Sequence, residues 1–133
     1  IKLYDFSSNN IVLTPHMGEI ERLGIYPTQE AMIQFASENN ITLVLKGETD
    51  FITNGEYFKH NKTGHPRMAV GGTGDVLAGF LGTLLAKGLS GYEAGRLACY
   101  TFGLAGEITY DEIGSGFLPT DLAVTLSKLL KKS

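Results

Sequence analysis

Gly71, Gly72 and Gly74, followed at once by Asp75, are the residues of this 133-residue chain best suited to chemistry. Without Cβ atoms, the three glycines let the backbone bend sharply and let a ligand come close to its amides. Val76 and Leu77 open an apolar run that reads as a helix, so the glycines supply unpaired N–H groups at a helix N-terminus. Such a terminus attracts phosphate through those amides and the positive end of the macrodipole, worth about 0.3–1 kcal/mol when exposed and more when partly buried. A carboxylate there repels the anion unless it handles a cation or a proton in transit. As a general base, Asp75 would take the proton of a substrate hydroxyl while that oxygen attacks a nucleotide's terminal phosphorus, and the amides around Thr73 would steady the transferred group. The plainer alternative is that Asp75 caps the helix, for which Asp is well suited. No Walker-type loop is present, and Gly72-Thr-Gly74 lacks the third glycine and the preceding strand of a dinucleotide fingerprint.

Two further side chains stand at predicted strand ends, where α/β sheets gather ligand-binding groups. His16 follows Pro15 just after an apolar run, and it either meets a ligand or caps the short helix that follows. Lys46 ends the run 41–45, and Gly47 permits a tight turn there; its ammonium either reaches a phosphate or is an ordinary surface charge. Glu19 reads as an exposed helix residue rather than one organising water around magnesium. His60 and His65 flank the approach to the glycines, but no third ligand lies at short spacing, so no metal site is predicted.

The elements that must hold these groups follow from pattern. Residues 11–13 form a short β-branched run ended by Thr14 and Pro15, read as a buried strand. Residues 16–23 make one or two helical turns, stopped by Gly24. Thr28 caps a helix over 29–39, in which Ala31, Met32, Phe35 and Ala36 share one face. The continuous run 41–45 reads as a strand covered on both faces, so the helix before it implies a right-handed crossover and a parallel sheet. Residues 51–53 and 57–58 flank Asn54-Gly55, a hairpin signal. Helices are predicted over 75–87, from 92 to 108 or beyond with Ser90 as a cap, and over 122–131 with Pro119 and Thr120 or Asp121 at its start. The first of these is apolar on nearly every side and is expected to be central. Residues 1–4 look like a strand or loop remnant.

Composition bounds the rest. The residues are 43% hydrophobic, the net charge is −3 and the only basic cluster is Lys128, Lys131 and Lys132, which excludes a nucleic-acid footprint. Cys99 is the only cysteine, which fits a reducing compartment with cytoplasm as the default. The longest apolar-rich segment, 76–85, is broken by Gly79, Gly82 and Thr83, so no membrane span or leader is expected. Residues 1–133 read as one domain without repeat or linker.

Three motifs in this order, Leu13-Thr-Pro-His-Met-Gly-Glu19, Leu45-Lys-Gly-Glu-Thr-Asp50 and Met68-Ala-Val-Gly-Gly-Thr-Gly-Asp-Val-Leu-Ala-Gly79, resemble the C-terminal catalytic half of the ADP/ATP-dependent NAD(P)H-hydrate dehydratases. The resemblance covers nearly the whole chain. It implies a ribokinase-like three-layer α/β/α sandwich, C-terminal portion, with one β-hairpin. It also implies ADP or ATP with Mg2+ as cofactors, and a hydrated NADH or NADPH whose ring hydroxyl is phosphorylated and then lost as phosphate. On that resemblance Asp75 faces the substrate hydroxyl and His16 the hydrated dinucleotide. Lys46, Gly47, Glu48, Thr49 and Asp50 form the adenine-nucleotide loop, and Gly71, Gly72, Thr73 and Gly74 hold phosphate.

This sequence departs from its relatives, which carry threonine for Asp50, asparagine for His65 and glycine for Arg67; Arg67 is expected to pair with Asp50 or to grip a phosphate. Family members also have an α/β segment before this region, so the chain is expected to be a fragment, split subunit or truncated form. The missing half of the pocket would come from that segment or from a homo-oligomer. Competing readings are a ribokinase-like kinase of a thiazole or pyrimidine alcohol, and a non-catalytic nucleotide-binding module whose apolar C-terminal helices bury against another subunit.

Overall fold

The computed structural model describes residues 10–131, so the expectation for residues 1–4, and Lys132, lie outside the described residues. Strand β1 (Val12–Leu13) leads through α1 (Met17–Arg22) and α2 (Gln29–Asn39) into β2 (Thr42–Leu45). The hairpin strands β3 (Asp50–Thr53) and β4 (Phe58–Asn61) follow, then a 3₁₀ turn at Pro66–Met68 and the helices α3 (Thr73–Ala86), α4 (Gly91–Ile113) and α5 (Pro119–Lys131). The sheet order is β1-β2-β3-β4. β1 runs parallel to β2 with Leu13 opposite Leu43, as the helical crossover requires, while β2–β3 and β3–β4 are antiparallel.

Alternation along the strands feeds two faces. Leu43 and Leu45 pack with Phe51 and Phe58 against Ile20, Met32, Phe35 and Ala36 of α1 and α2. Val44 and Ile52 point the other way, onto Cys99 and Tyr92 of α4. β2 is buried at all four positions, which explains its unbroken apolar run. Beyond α4, the residues Leu77, Phe80, Leu81 and Leu84 of α3 meet Ala94, Ala98, Ala105 and Leu126. The layers are thus α/β/α, with α3 and α5 stacked outside α4.

Two expectations are corrected. The central helix is α4, which touches all four strands and both other C-terminal helices, not α3. α3 buries one apolar stripe and leaves Ala78, Gly79, Gly82, Thr83 and Ala86 exposed. Its uniform apolar composition concealed this because small residues read as hydrophobic without needing burial. α4 achieves its position through small residues: Cβ atoms on Gly91 and Gly95 would stand 2.9 Å from Thr42 Oγ1 and 3.2 Å from Val44 Cγ2. The hairpin uses a four-residue loop, 54–57, rather than a two-residue turn, with Thr53 opposite Phe58. Asn54 Oδ1 accepts from the amides of Glu56 (3.0 Å) and Tyr57 (2.8 Å), so Tyr57 belongs to the loop and β4 runs on to Asn61. The middle helix does run beyond 108, as expected, and ends at Ile113 before Gly114.

Among the described residues, no helix is long and apolar enough to cross a membrane.

Candidate active site

The glycine turn enters α3 through Gly72, the N-cap, at φ 96°, a left-handed conformation that favours glycine. No side chain caps this helix. Thr73 Oγ1 donates to Val70 O at 2.8 Å and its amide reaches the same carbonyl at 3.4 Å, which ties the turn to the segment before it. Among the described residues, the amides of Gly71, Gly72, Gly74 and Asp75 meet no protein acceptor. Asp75 therefore sits in the first turn, not at the cap; its side chain is exposed and engages no protein group. The capping alternative fails, and the carboxylate is open to a ligand.

Lys46 closes the turn from the side. A Cβ on Gly74 would stand 3.0 Å from Lys46 Nζ, so the ammonium lies against Gly74 at the start of α3. The backbone of Lys46 is fixed by donation to Pro15 O at 2.9 Å, and Lys46 bridges His16 in parallel register. His16 and Lys46 thus stand side by side at the carboxyl ends of the parallel pair β1–β2.

His16 is the N-cap of α1: its Nδ1 accepts from Glu19 N at 3.2 Å, and Glu19 Oε2 accepts from His16 N at 2.8 Å. The capping role of His16 is thus observed, and a ring whose Nδ1 accepts carries its neutral-form proton on Nε2. Nε2 lies 3.6 Å from Glu19 Oε1 on an exposed side chain. Glu19 is an exposed helix residue as expected, and the hydrogen bond from His16 N, followed by nearby positive charge, holds its carboxyl below the ordinary value.

Of the loop Lys46, Gly47, Glu48, Thr49 and Asp50, Gly47 and Glu48 are exposed while Asp50 turns inward. Asp50 Oδ1 accepts from Gly47 N at 3.2 Å, and Oδ2 from Asn61 Nδ2 at 3.1 Å. Burial pushes the Asp50 carboxyl up, opposed by hydrogen bonds from Asn61 and Gly47. Arg67 does not pair with Asp50: its Nε donates to the carbonyl of Ser115, in the α4–α5 connection. His65 stacks on Tyr110 at 3.6 Å between ring centres and accepts from Arg67 N. His60 lies away from the turn, on a groove of about 390 Å3 between β4 and α4. No group of three His, Cys, Asp or Glu side chains among the described residues is placed to hold a metal ion.

Sequence reasoning missed the groups that carry the turn. Thr63 and Met68 seat in notches on α4, where Cβ atoms on Gly103 and Gly106 would overlap Thr63 and Met68 Sδ. Glu107 accepts from Gly64 N at 3.0 Å. The signal available was Gly91, Gly95, Gly103 and Gly106 inside one helical run, which marks close backbone approach.

A family model described as NAD(P)H-hydrate dehydratase matches residues 4–128. The chain belongs to the NAD(P)H-hydrate dehydratase family. Within that family, it is 40% identical over 97% of its length to an ADP-dependent (S)-NAD(P)H-hydrate dehydratase of Cenarchaeum symbiosum, of which it spans 47%. The chain is therefore about half as long as this relative. Its structure resembles the crystal structure of ADP/ATP-dependent NAD(P)H-hydrate dehydratase from Bacillus subtilis co-crystallized with ATP/Mg2+, with TM-score 0.82, 29% identity, and coverage of 92% of this chain and 48% of that one. A hydroxyethylthiazole kinase from Pyrococcus horikoshii is similar with TM-score 0.73 and 28% identity over 92% of this chain and 49% of that chain. The dehydratase-family chain thus has the ribokinase-like α/β fold expected from its motifs.

Proposed function

We propose that this chain supplies the phosphoryl-transfer half of an ADP/ATP-dependent NAD(P)H-hydrate dehydratase, a lyase that repairs the hydrated S-epimer. The observation that carries the reading is the meeting of Lys46 Nζ with Gly74 beneath a helix end whose amides have no protein acceptor, next to an unengaged Asp75. Gly71, Gly72, Thr73 and Gly74 cradle the nucleotide's terminal phosphate, and Lys46 neutralises it. Gly47, Glu48, Thr49 and Asp50 form the loop that flanks the nucleotide, and His16 Nε2 donates to the hydrated dinucleotide. Asp75 takes the hydroxyl proton as the substrate oxygen bonds to phosphorus and the nucleotide's bridging P–O bond breaks. Phosphate then leaves from the ring carbon as a proton departs from its neighbour, which regenerates the dihydronicotinamide. Mg2+ bound with the nucleotide would offset the charge of its phosphates, and the exposed Asp75 beside the turn would be the carboxylate to help hold it; the described residues assemble no three-ligand cage of their own.

The open rim of the turn, with Gly71, Gly72 and Asp75 exposed, suits a pocket completed by a segment like the other half of the longer relatives, or by another subunit. We read residues 1–133 as one partial ribokinase-like domain of a cytoplasmic enzyme.

The test is to incubate the chain, alone and with the complementary half of a relative, with hydrated NADH and ADP. The absorbance of restored NADH is expected to rise, and to require the nucleotide. A kinase of a small alcohol is the second reading, favoured by the likeness to the thiazole kinase. It prevails if ATP phosphorylates a hydroxyethylthiazole and no NADH returns. Calorimetric binding of ADP without either turnover would favour the non-catalytic module.

A further inference from the structure

A half-buried carboxylate beside the proposed nucleotide loop needs a reason, since its charge does not help an anion to bind. Both oxygens of Asp50 are committed to protein donors, one to Gly47 N at 3.2 Å and one to Asn61 Nδ2 at 3.1 Å. Asn61 is itself buried; its Nδ2 also donates to Cys99 O at 3.2 Å, and its Oδ1 accepts from Thr63 Oγ1 at 3.0 Å. Thr63 Oγ1 lies 3.1 Å from Tyr100 O, in the notch left by Gly103. A continuous line of hydrogen bonds thus runs from Cys99 O in the backbone of α4, through Asn61 and Asp50, to the amide of Gly47. Gly47 is the neighbour of Lys46.

Lys46 forms no salt bridge within 4 Å with Asp50 or any other carboxylate among the described residues, so its ammonium stays available over Gly74.

We infer that Asp50 is a positioning residue that braces the Lys46 loop against α4 and so holds the Lys46 ammonium over the glycine turn, rather than a residue that touches the nucleotide. This deepens the functional reading above and rests on it. The polarity of the line requires an acceptor at both Asp50 oxygens, because Asn61 Nδ2 is a donor with its other hydrogen spent on Cys99 O. Burial raises the Asp50 carboxyl above its ordinary value, so protonation as the pH falls weakens the brace. The titratable groups that bear on Asp50 are Lys46 from the end of β2 and Cys99 from α4, whose thiol burial keeps neutral.

Asp50→Asn separates the two roles by sign. If Asp50 acted through its charge near the phosphates, removing that charge would tighten ADP. If it is the brace, an amide N–H set against Asn61 Nδ2 weakens ADP by about tenfold, the effect of one lost hydrogen bond to a charged group. Calorimetric titration with ADP at fixed salt reads this, and amide exchange at Gly47 is expected to quicken in the same variant. The wild-type affinity is expected to carry an acid limb that Asp50→Asn lacks, which a purely structural residue would not remove. Should Asp50→Asn not fold, Asp50→Ser is judged by the same criteria, since its hydroxyl is too short to reach both partners. Equal or tighter ADP binding with an unchanged pH profile overturns the inference and leaves the functional reading intact. Absence of ADP binding by the wild-type chain even with the complementary half present overturns that reading itself.

Discussion

Lys46 Nζ occupies the space that a Cβ on Gly74 would press against, at 3.0 Å. The relationship joins two motifs 28 positions apart in sequence, the loop after β2 and the first turn of α3. A side chain at 74 would therefore press on Lys46 as well as on the phosphate proposed to sit there. Gly74→Ala is expected to displace the ammonium without disturbing the fold, because the atom in its way is the far end of a flexible side chain. ADP affinity measured by calorimetry should fall by about tenfold in Gly74→Ala and in Lys46→Ala, and the double variant should lose less than the sum of the two, as expected for residues in contact. Additive losses would mean that the two act separately.

Asp75 stands clear of the helix cap and of every protein partner among the described residues. Asp75→Asn keeps its shape and removes its basicity. We expect turnover in the reconstituted hydrate assay to drop about 10²–10⁴-fold, the usual contribution of a general base, with ADP affinity unchanged or higher. Full turnover in this variant would remove Asp75 from the mechanism.

Two glycines in the helical half should respond oppositely to the same substitution. A Cβ on Gly103 would lie 2.6 Å from the backbone carbon and oxygen of Thr63, which cannot give way as a side-chain tip can. Gly103→Ala should cost about 1–3 kcal/mol, as overpacking does. Gly79 has nothing within 4 Å of its Cβ position and lies mid-helix on the exposed side of α3. Gly79→Ala should gain about 0.5–1 kcal/mol from helix propensity. Urea unfolding midpoints measure both signs.

The His16–Glu19 capping box fixes a pH dependence. The folded Glu19 carboxyl is held below the ordinary glutamate value, chiefly by the hydrogen bond from His16 N. A depressed acid contributes stability that is fully present above the unfolded value and is lost as pH falls through the folded one. Protection of the His16 amide from exchange should therefore hold above about pH 4.5 and decline below it. Glu19→Gln, still able to accept that hydrogen bond, should flatten the decline. A wild-type profile without it would assign the lowered value to another cause.

Much of this architecture could be read from the chain in order. α2 begins and ends where Thr28 and the Ala31-Met32-Phe35-Ala36 face require, and Thr28 Oγ1 accepts from Ala31 N at 3.2 Å. Ser90 and Glu93 form the reciprocal cap of α4. Caps, apolar period and turn residues are local signals, decided by neighbours within four positions. The hairpin loop escaped because Asn54 satisfies two amides at once, an option that a two-residue reading of Asn-Gly does not contain.

By itself the sequence determined the elements, the glycine turn with its following acid, and the family to which those motifs belong, since each rests on residue types at short spacing. Only the tertiary structure decided that α4 rather than α3 lies at the centre and that Arg67 serves Ser115 rather than Asp50. It alone turned Asp50 inward to Asn61 and laid Lys46 on Gly74. These outcomes depend on which surfaces meet across long stretches of chain, where one missing Cβ or one buried donor selects the partner, and no periodicity along the chain records that choice.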